Sequence, residues 1–134
     1  MNTSQLFANF TLLILLTVFF KPATVLTQPI APQLDILTVE AGTPSGGSTK
    51  IGVKWKADVP PSTTIHRFLL KLTVKFDDGS TQTVSAAVLG AERKAIVFVQ
   101  NKPLKTYDAK LEAFFTASTG GPAQSTSITE NGTF

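Results

Sequence analysis

The chain has no cysteine, and only one histidine, one methionine, one tryptophan and one tyrosine among its 134 residues. Without a thiol there is no disulfide framework, no thiolate nucleophile and no cysteine-based zinc or iron–sulfur site. A single histidine makes any Ser–His–Asp constellation depend on His66 alone. A strong charge of one sign is missing too. The net charge is +3, and setting Lys21 aside leaves eleven basic against nine acidic side chains beyond Phe20. Nucleic-acid modules usually show a basic stripe with stacking aromatics, so no nucleic-acid partner is expected. Long runs of helix formers are also lacking. Val, Thr, Ile and Phe are frequent instead, and that composition favours strands.

The first part of the chain differs from the rest. No charged side chain precedes Lys21, and Phe10 to Phe20 (FTLLILLTVFF) is a run of eleven residues, nine of them apolar. A helix needs ~20 residues to cross a bilayer, so the run fits the apolar region of a signal peptide better than a full span. Its flanks carry neither an N-terminal Lys or Arg nor an A-x-A site, and Ala23 and Thr27 are the small residues at which cleavage can end. Two readings of residues 1–23 stand, a cleaved signal peptide and a retained signal anchor. Both place the remainder outside the cytoplasm, secreted or held at a membrane by the N-terminus alone. Lys21, Pro22 and Pro29 disfavour a buried helix there. Residues 24–32 (TVLTQPIAP) read as an extended linker, and residues 33–131 as one domain of about 100 residues, enough for a single core.

Within that domain, apolar residues recur with period two between turn-rich clusters. Seven strands follow, at about 33–40, 49–57, 67–76, 81–88, 94–99, 106–116 and 123–129. Ile51, Val53, Trp55 and Ala57 share one face of the second strand, with lysines and Gly52 on the other. Phe68, Leu70, Leu72, Val74 and Phe76 share a face of the third; Tyr107, Ala109, Leu111, Ala113 and Phe115 share a face of the sixth. One dry and one wet face per strand is what two packed antiparallel sheets require. Trp55, Leu72, Tyr107 and Leu111 are the expected structural core.

The order of certain residues resembles the fibronectin type III family over roughly Pro29 to Asn131. They are Trp55, then Pro60-Pro61, Phe68 opening the third strand, and Pro103 four residues before Tyr107. Tyr107-x-Ala109-x-Leu111-x-Ala113 follows, then Gly120-Gly121-Pro122 with Ser125. The resemblance implies a seven-stranded antiparallel β-sandwich, immunoglobulin-like, with sheets A-B-E and C′-C-F-G. It also implies a corner in which the Tyr107 hydroxyl reaches a backbone group a few residues upstream. Where the family usually carries a leucine six residues before the tyrosine, this chain has Asn101, and Leu104 is the candidate to fill the space. In the fifth strand, Ile96 and Phe98 are expected to point inward in preference to Ala95, Val97 and Val99. The loop Ala117–Pro122 lacks the adhesive tripeptide of some members.

No enzyme activity, cofactor or metal is expected. His66 reads as a solvent-facing residue of the loop entering the third strand. Asp77-Asp78-Gly79-Ser80 reads as a hairpin turn, because calcium loops draw their ligands from a longer spaced motif. Gly46-Gly47-Ser48-Thr49-Lys50 lacks the spacing of a phosphate loop. Asn131-Gly132-Thr133 is a glycosylation sequon that acts only in a eukaryotic secretory pathway. Charge pairing favours a register between the third and sixth strands in which partner numbers add to 183. It sets Lys71 against Glu112, Lys75 against Asp108, and Leu69 opposite Phe114. Leu69 and Phe114 are then the candidate contact for a protein partner whose identity the sequence does not give. The functional expectation is a non-catalytic interaction or spacer module; the alternative is a membrane-anchored structural subunit of an envelope or matrix assembly.

Overall fold

The strict alternations from Ile51 to Trp55 and from Phe68 to Phe76 can bury one face, and only one, as strands. The computed structural model describes residues 28–134, and these two segments lie at its centre as β2 (Ser48–Asp58) and β3 (Thr63–Phe76). Around them run β1 (Gln33–Ala41), β4 (Thr81–Leu89), β5 (Lys94–Gln100), β6 (Leu104–Ala117) and β7 (Gln124–Thr133). All pairings are antiparallel. They form a three-stranded sheet in the order β1-β2-β5 and a four-stranded sheet in the order β4-β3-β6-β7. Inward side chains of both sheets join one buried cluster, so the domain is a β-sandwich. No helix occurs among the described residues, and hence none there that is long and apolar enough to cross a membrane. The expected export segment, residues 1–23, and the first part of the linker lie outside the described residues.

Trp55, Leu72 and Leu111 are buried in the core, and the Trp55 ring lies 5.2 Å from that of Phe68. The Trp55 indole N–H is buried without a hydrogen-bond partner among the described residues. Leu104, opposite Phe76 at the start of β6, packs against the core. Asn101 instead closes the near end of the sandwich, its N–H donating to the Gly47 carbonyl at 3.0 Å. Tyr107 is partly buried on the inward face, as its alternation requires. Its hydroxyl, however, does not take the corner geometry expected of it. It lies over Gly132 on β7, where a Cβ would collide with it. Burial, followed by the Glu130 charge and hydrogen bond, raises the phenol above its ordinary pKa.

Several boundaries move. β3 starts at Thr63, not near Arg67, because a bulge between Ile65 and Arg67 absorbs His66 and lets the strand follow β6 to Ala117. His66 is therefore a strand residue, although exposed as expected. β7 continues to Thr133, since Glu130–Thr133 pairs with the early part of β6.

The register of β3 on β6 also differs from expectation. Partner numbers add to 181 from Arg67 to Lys75, so Lys71 faces Lys110, Leu69 faces Glu112 and Thr73 faces Asp108. The dry face explains why. This register sets Phe68 against Ala113 and Leu72 against Ala109, large beside small, leaving room for Trp55 over Phe68. A sum of 183 would oppose Phe68 to Phe115 and Phe76 to Tyr107. Burying one large side chain is worth about 1.5–3 kcal/mol, against roughly 0.2–1 kcal/mol for an outward charge pair. Packing decides. The like-charge contact is moderated because Asp108 and Glu112 are the diagonal neighbours of Lys71.

β5 is the third correction. Ala95, Val97 and Val99 are buried, while Ile96 is 46% and Phe98 59% exposed. Pairing with β2 fixes this, since Val97 stands opposite Ile51 and Ala95 opposite Val53, and cross-strand partners share a face. The inward large residues of β2 and β3 leave space for alanine and valine rather than for isoleucine and phenylalanine.

Candidate interaction surfaces on the two sheets

Among the described residues no three metal-ligating side chains gather. The His66 Nε2 meets the Thr116 hydroxyl at 2.8 Å on an open strand face. The Asp77–Ser80 segment is a tight turn. Gly79 adopts φ 88°, a left-handed conformation that glycine takes freely, and its N–H donates to the Phe76 carbonyl at 2.9 Å. The Asp78 carboxylate accepts from the Ser80 hydroxyl and backbone N–H (2.8 Å) and pairs with Lys102 at 3.1 Å. Those bonds, the Ser80 hydroxyl first, hold its pKa down at about 2. Both oxygens of this exposed carboxylate are thus engaged within the turn and by Lys102.

The outward face of the four-stranded sheet is a set of cross-strand rows. One row reads Leu89, Arg67, Phe114, Ser125, and the next Ala87, Leu69, Glu112, Ser127. Leu69 and Phe114 both lie on this face, half-buried, but as diagonal neighbours and not opposite one another. The Arg67 guanidinium sits 4.0 Å from the centre of the Phe114 ring, so a cation–π contact covers the aromatic surface. A facing Leu69–Phe114 pair, expected as a contact site, needs the other register; here Leu69 faces Glu112 and Phe114 faces Arg67. What remains bare in this corner is Leu89, 73% exposed at the end of an edge strand.

The outward face of the three-stranded sheet is different. Its rows read Thr38, Lys54, Lys94, then Glu40, Gly52, Ile96, and then Lys50 beside Phe98. Lys56 is matched by Asp35 one row further on. Leu37, the bulge residue of β1, is exposed close to Lys54 and Lys94. Thr38, Glu40, Gly42, Lys50, Gly52 and Lys54 line a shallow groove whose floor is Gly52. Four lysines and two carboxylates therefore surround a patch holding three large apolar side chains, Leu37, Ile96 and Phe98. Nothing in the single sequence marked it, because Ala95–Val99 is apolar on both faces and its period gives no direction. The signal that could have found it is the parity of the β2–β5 pairing.

No family model matches the chain, and no curated protein matches it.

Proposed function

We propose that this chain is an exported, non-catalytic protein-interaction module of the fibronectin type III kind. The observation that carries the proposal is the bare apolar row of β5, Ile96 and Phe98, on the wet side of the three-stranded sheet. A side chain as large as phenylalanine, more than half in water and with no covering cation among the described residues, is a favourable anchor for a partner. Support for the family comes from the sheet orders β1-β2-β5 and β4-β3-β6-β7, beside the Trp55, Pro103 and Tyr107 signals in the sequence. Support for export comes from the apolar run before Lys21. A fold of this class hosts many functions, so the argument rests on the surface and not on the fold.

Photo-crosslinking in an exporting host tests the reading. A benzophenone side chain replacing Phe98, with Lys110 as the comparison position, should yield a protein adduct from position 98 in the extracytoplasmic fraction. Retention of the chain in the cytoplasm, or no protein adduct from either position, contradicts it.

A further inference from the structure

Gly52 is the residue on which the three-stranded face turns. It sits in the middle of β2, the central strand of its sheet. Glycine there costs backbone entropy relative to alanine and leaves a strand without a side chain to pack. Neither usual reason for a glycine applies. Its φ is not among the positive values, and a Cβ built on it would meet no heavy atom within 4 Å. The chain itself does not need the space. A further reason for a glycine within a strand is the close approach of a ligand or another backbone.

The walls of the notch say what that ligand is. Along β2, outward side chains recur at every second residue, so Lys54 and Lys50 stand on either side of Gly52, each roughly 7 Å away. Across the sheet, Ile96 borders the notch on the β5 side and Glu40 on the β1 side, with Phe98 next to Lys50. Lys54 also faces Lys94 directly, a like-charge pair whose cost an incoming anion would relieve. Among the described residues the ion pair within 4 Å is Lys102 with Asp78, so the lysines of this face are not spent on one. From this geometry we infer that the face docks an extended acidic segment of a partner protein with the pattern carboxylate-x-apolar-x-carboxylate. Alternate side chains of an extended chain repeat at the same spacing as β2. An apolar side chain then enters the notch over Gly52 against Ile96, while its two acidic neighbours reach Lys54 and Lys50. A flat anionic bilayer fits less well, since the apolar feature is a notch one side chain wide, bounded along β2 by Lys50 and Lys54 and across the sheet by Glu40 and Ile96. A second copy of this face would bring lysines against lysines.

This inference rests on the interaction-module reading and deepens it. The test uses the full chain, in zwitterionic detergent where its N-terminus is retained, and a synthetic peptide Thr-Glu-Thr-Leu-Thr-Glu-Thr. Backbone amide shifts in NMR titration should cluster at Lys50, Gly52, Lys54, Ile96 and Phe98 and fade with added salt. The same peptide with lysine for glutamate should give none. Gly52→Gln fills the notch from a Cβ that meets no heavy atom within 4 Å, so it should melt no lower than the unaltered chain yet bind at least about tenfold more weakly. Four results overturn the inference: no shifts at millimolar peptide, an equal response to the lysine peptide, Gly52→Gln binding unchanged, or anionic vesicles captured in preference to the peptide. Shifts centred on Leu89 and Phe114 overturn it as well, but leave the interaction-module reading standing. That reading fails separately, by the crosslinking experiment.

Discussion

Phe114 and Phe98 are both outward-facing phenylalanines in strands of this sandwich, and their surroundings are opposite. Phe114 is flanked on both sides by β3 and β7 and lies beneath the Arg67 guanidinium. Phe98 is on an edge strand beside Lys50, with no cation over its ring among the described residues and 59% of its surface in water. The difference teaches where each sheet is finished within the chain. Apart from Leu89 at its edge, the four-stranded face meets its own needs: a cation covers its aromatic, and carboxylates lie diagonal to its facing lysines. The three-stranded face places lysines around exposed apolar side chains and a side-chain-free notch, and leaves these open to solvent.

The largest effect expected from breaking this comparison is in the layer the two sheets share. Trp55→Ala removes a side chain buried against Phe68 and should cost about 3–5 kcal/mol in denaturant melts, a large part of a total of about 5–15 kcal/mol. Trp55→Phe should cost less than that, because it also removes an indole N–H that has no partner among the described residues. Tyr107→Phe retains the ring and loses only the hydroxyl, so no more than about 0.5–1.5 kcal/mol is expected.

The two phenylalanines give the next, sharper contrast. Phe114→Ala should lower stability by about 1 kcal/mol or more, from the lost Arg67 contact and the packing beneath it. Phe98→Ser should stay within about 0.5 kcal/mol of the unaltered chain, as for an exposed site, and should raise solubility. Equal losses from the two variants would remove the contrast.

How much of this was legible in the sequence follows from how each residue's face was marked. In β2, β3 and β6 polar and apolar residues alternate, so the inward sets containing Trp55, Leu72 and Leu111 could be read directly. In β5 the run from Ala95 to Val99 offers no polar residue to mark the wet side. The orientation was settled by its pairing with β2, a contact between distant parts of the chain. The β3–β6 register was misjudged for a related reason. Outward charges are visible in a sequence, whereas the fit of Phe68 beside Ala113 under Trp55 emerges only when two sheets close on each other. The Gly52 notch was invisible because a lone glycine in a strand has many meanings until the space above it is known.

Smaller effects concern charge. Lys71→Gln removes the contact with Lys110 and should raise stability by a few tenths of a kcal/mol, more at low salt than at high. The Asp78 carboxyl should titrate at about 2 in NMR. Since its folded pKa lies below the unfolded value of about 3.9, its contribution is present above that value and is lost as pH falls from there towards 2. An Asp78 midpoint close to 4 would show that the Ser80 and Lys102 bonds do not form in solution.

The absence of cysteine from the chain allows the central claim, that β5 turns Ile96 and Phe98 to water, to be measured directly. Single cysteines at positions 95, 96, 97, 98 and 99 can each be exposed to a thiol reagent under native conditions. Ile96→Cys and Phe98→Cys should label at nearly the rate of an unfolded thiol, whereas Ala95→Cys, Val97→Cys and Val99→Cys should label only as fast as the domain opens. The reverse alternation, fast at 95, 97 and 99 and slow at 96 and 98, would place Ile96 and Phe98 in the core and contradict the account.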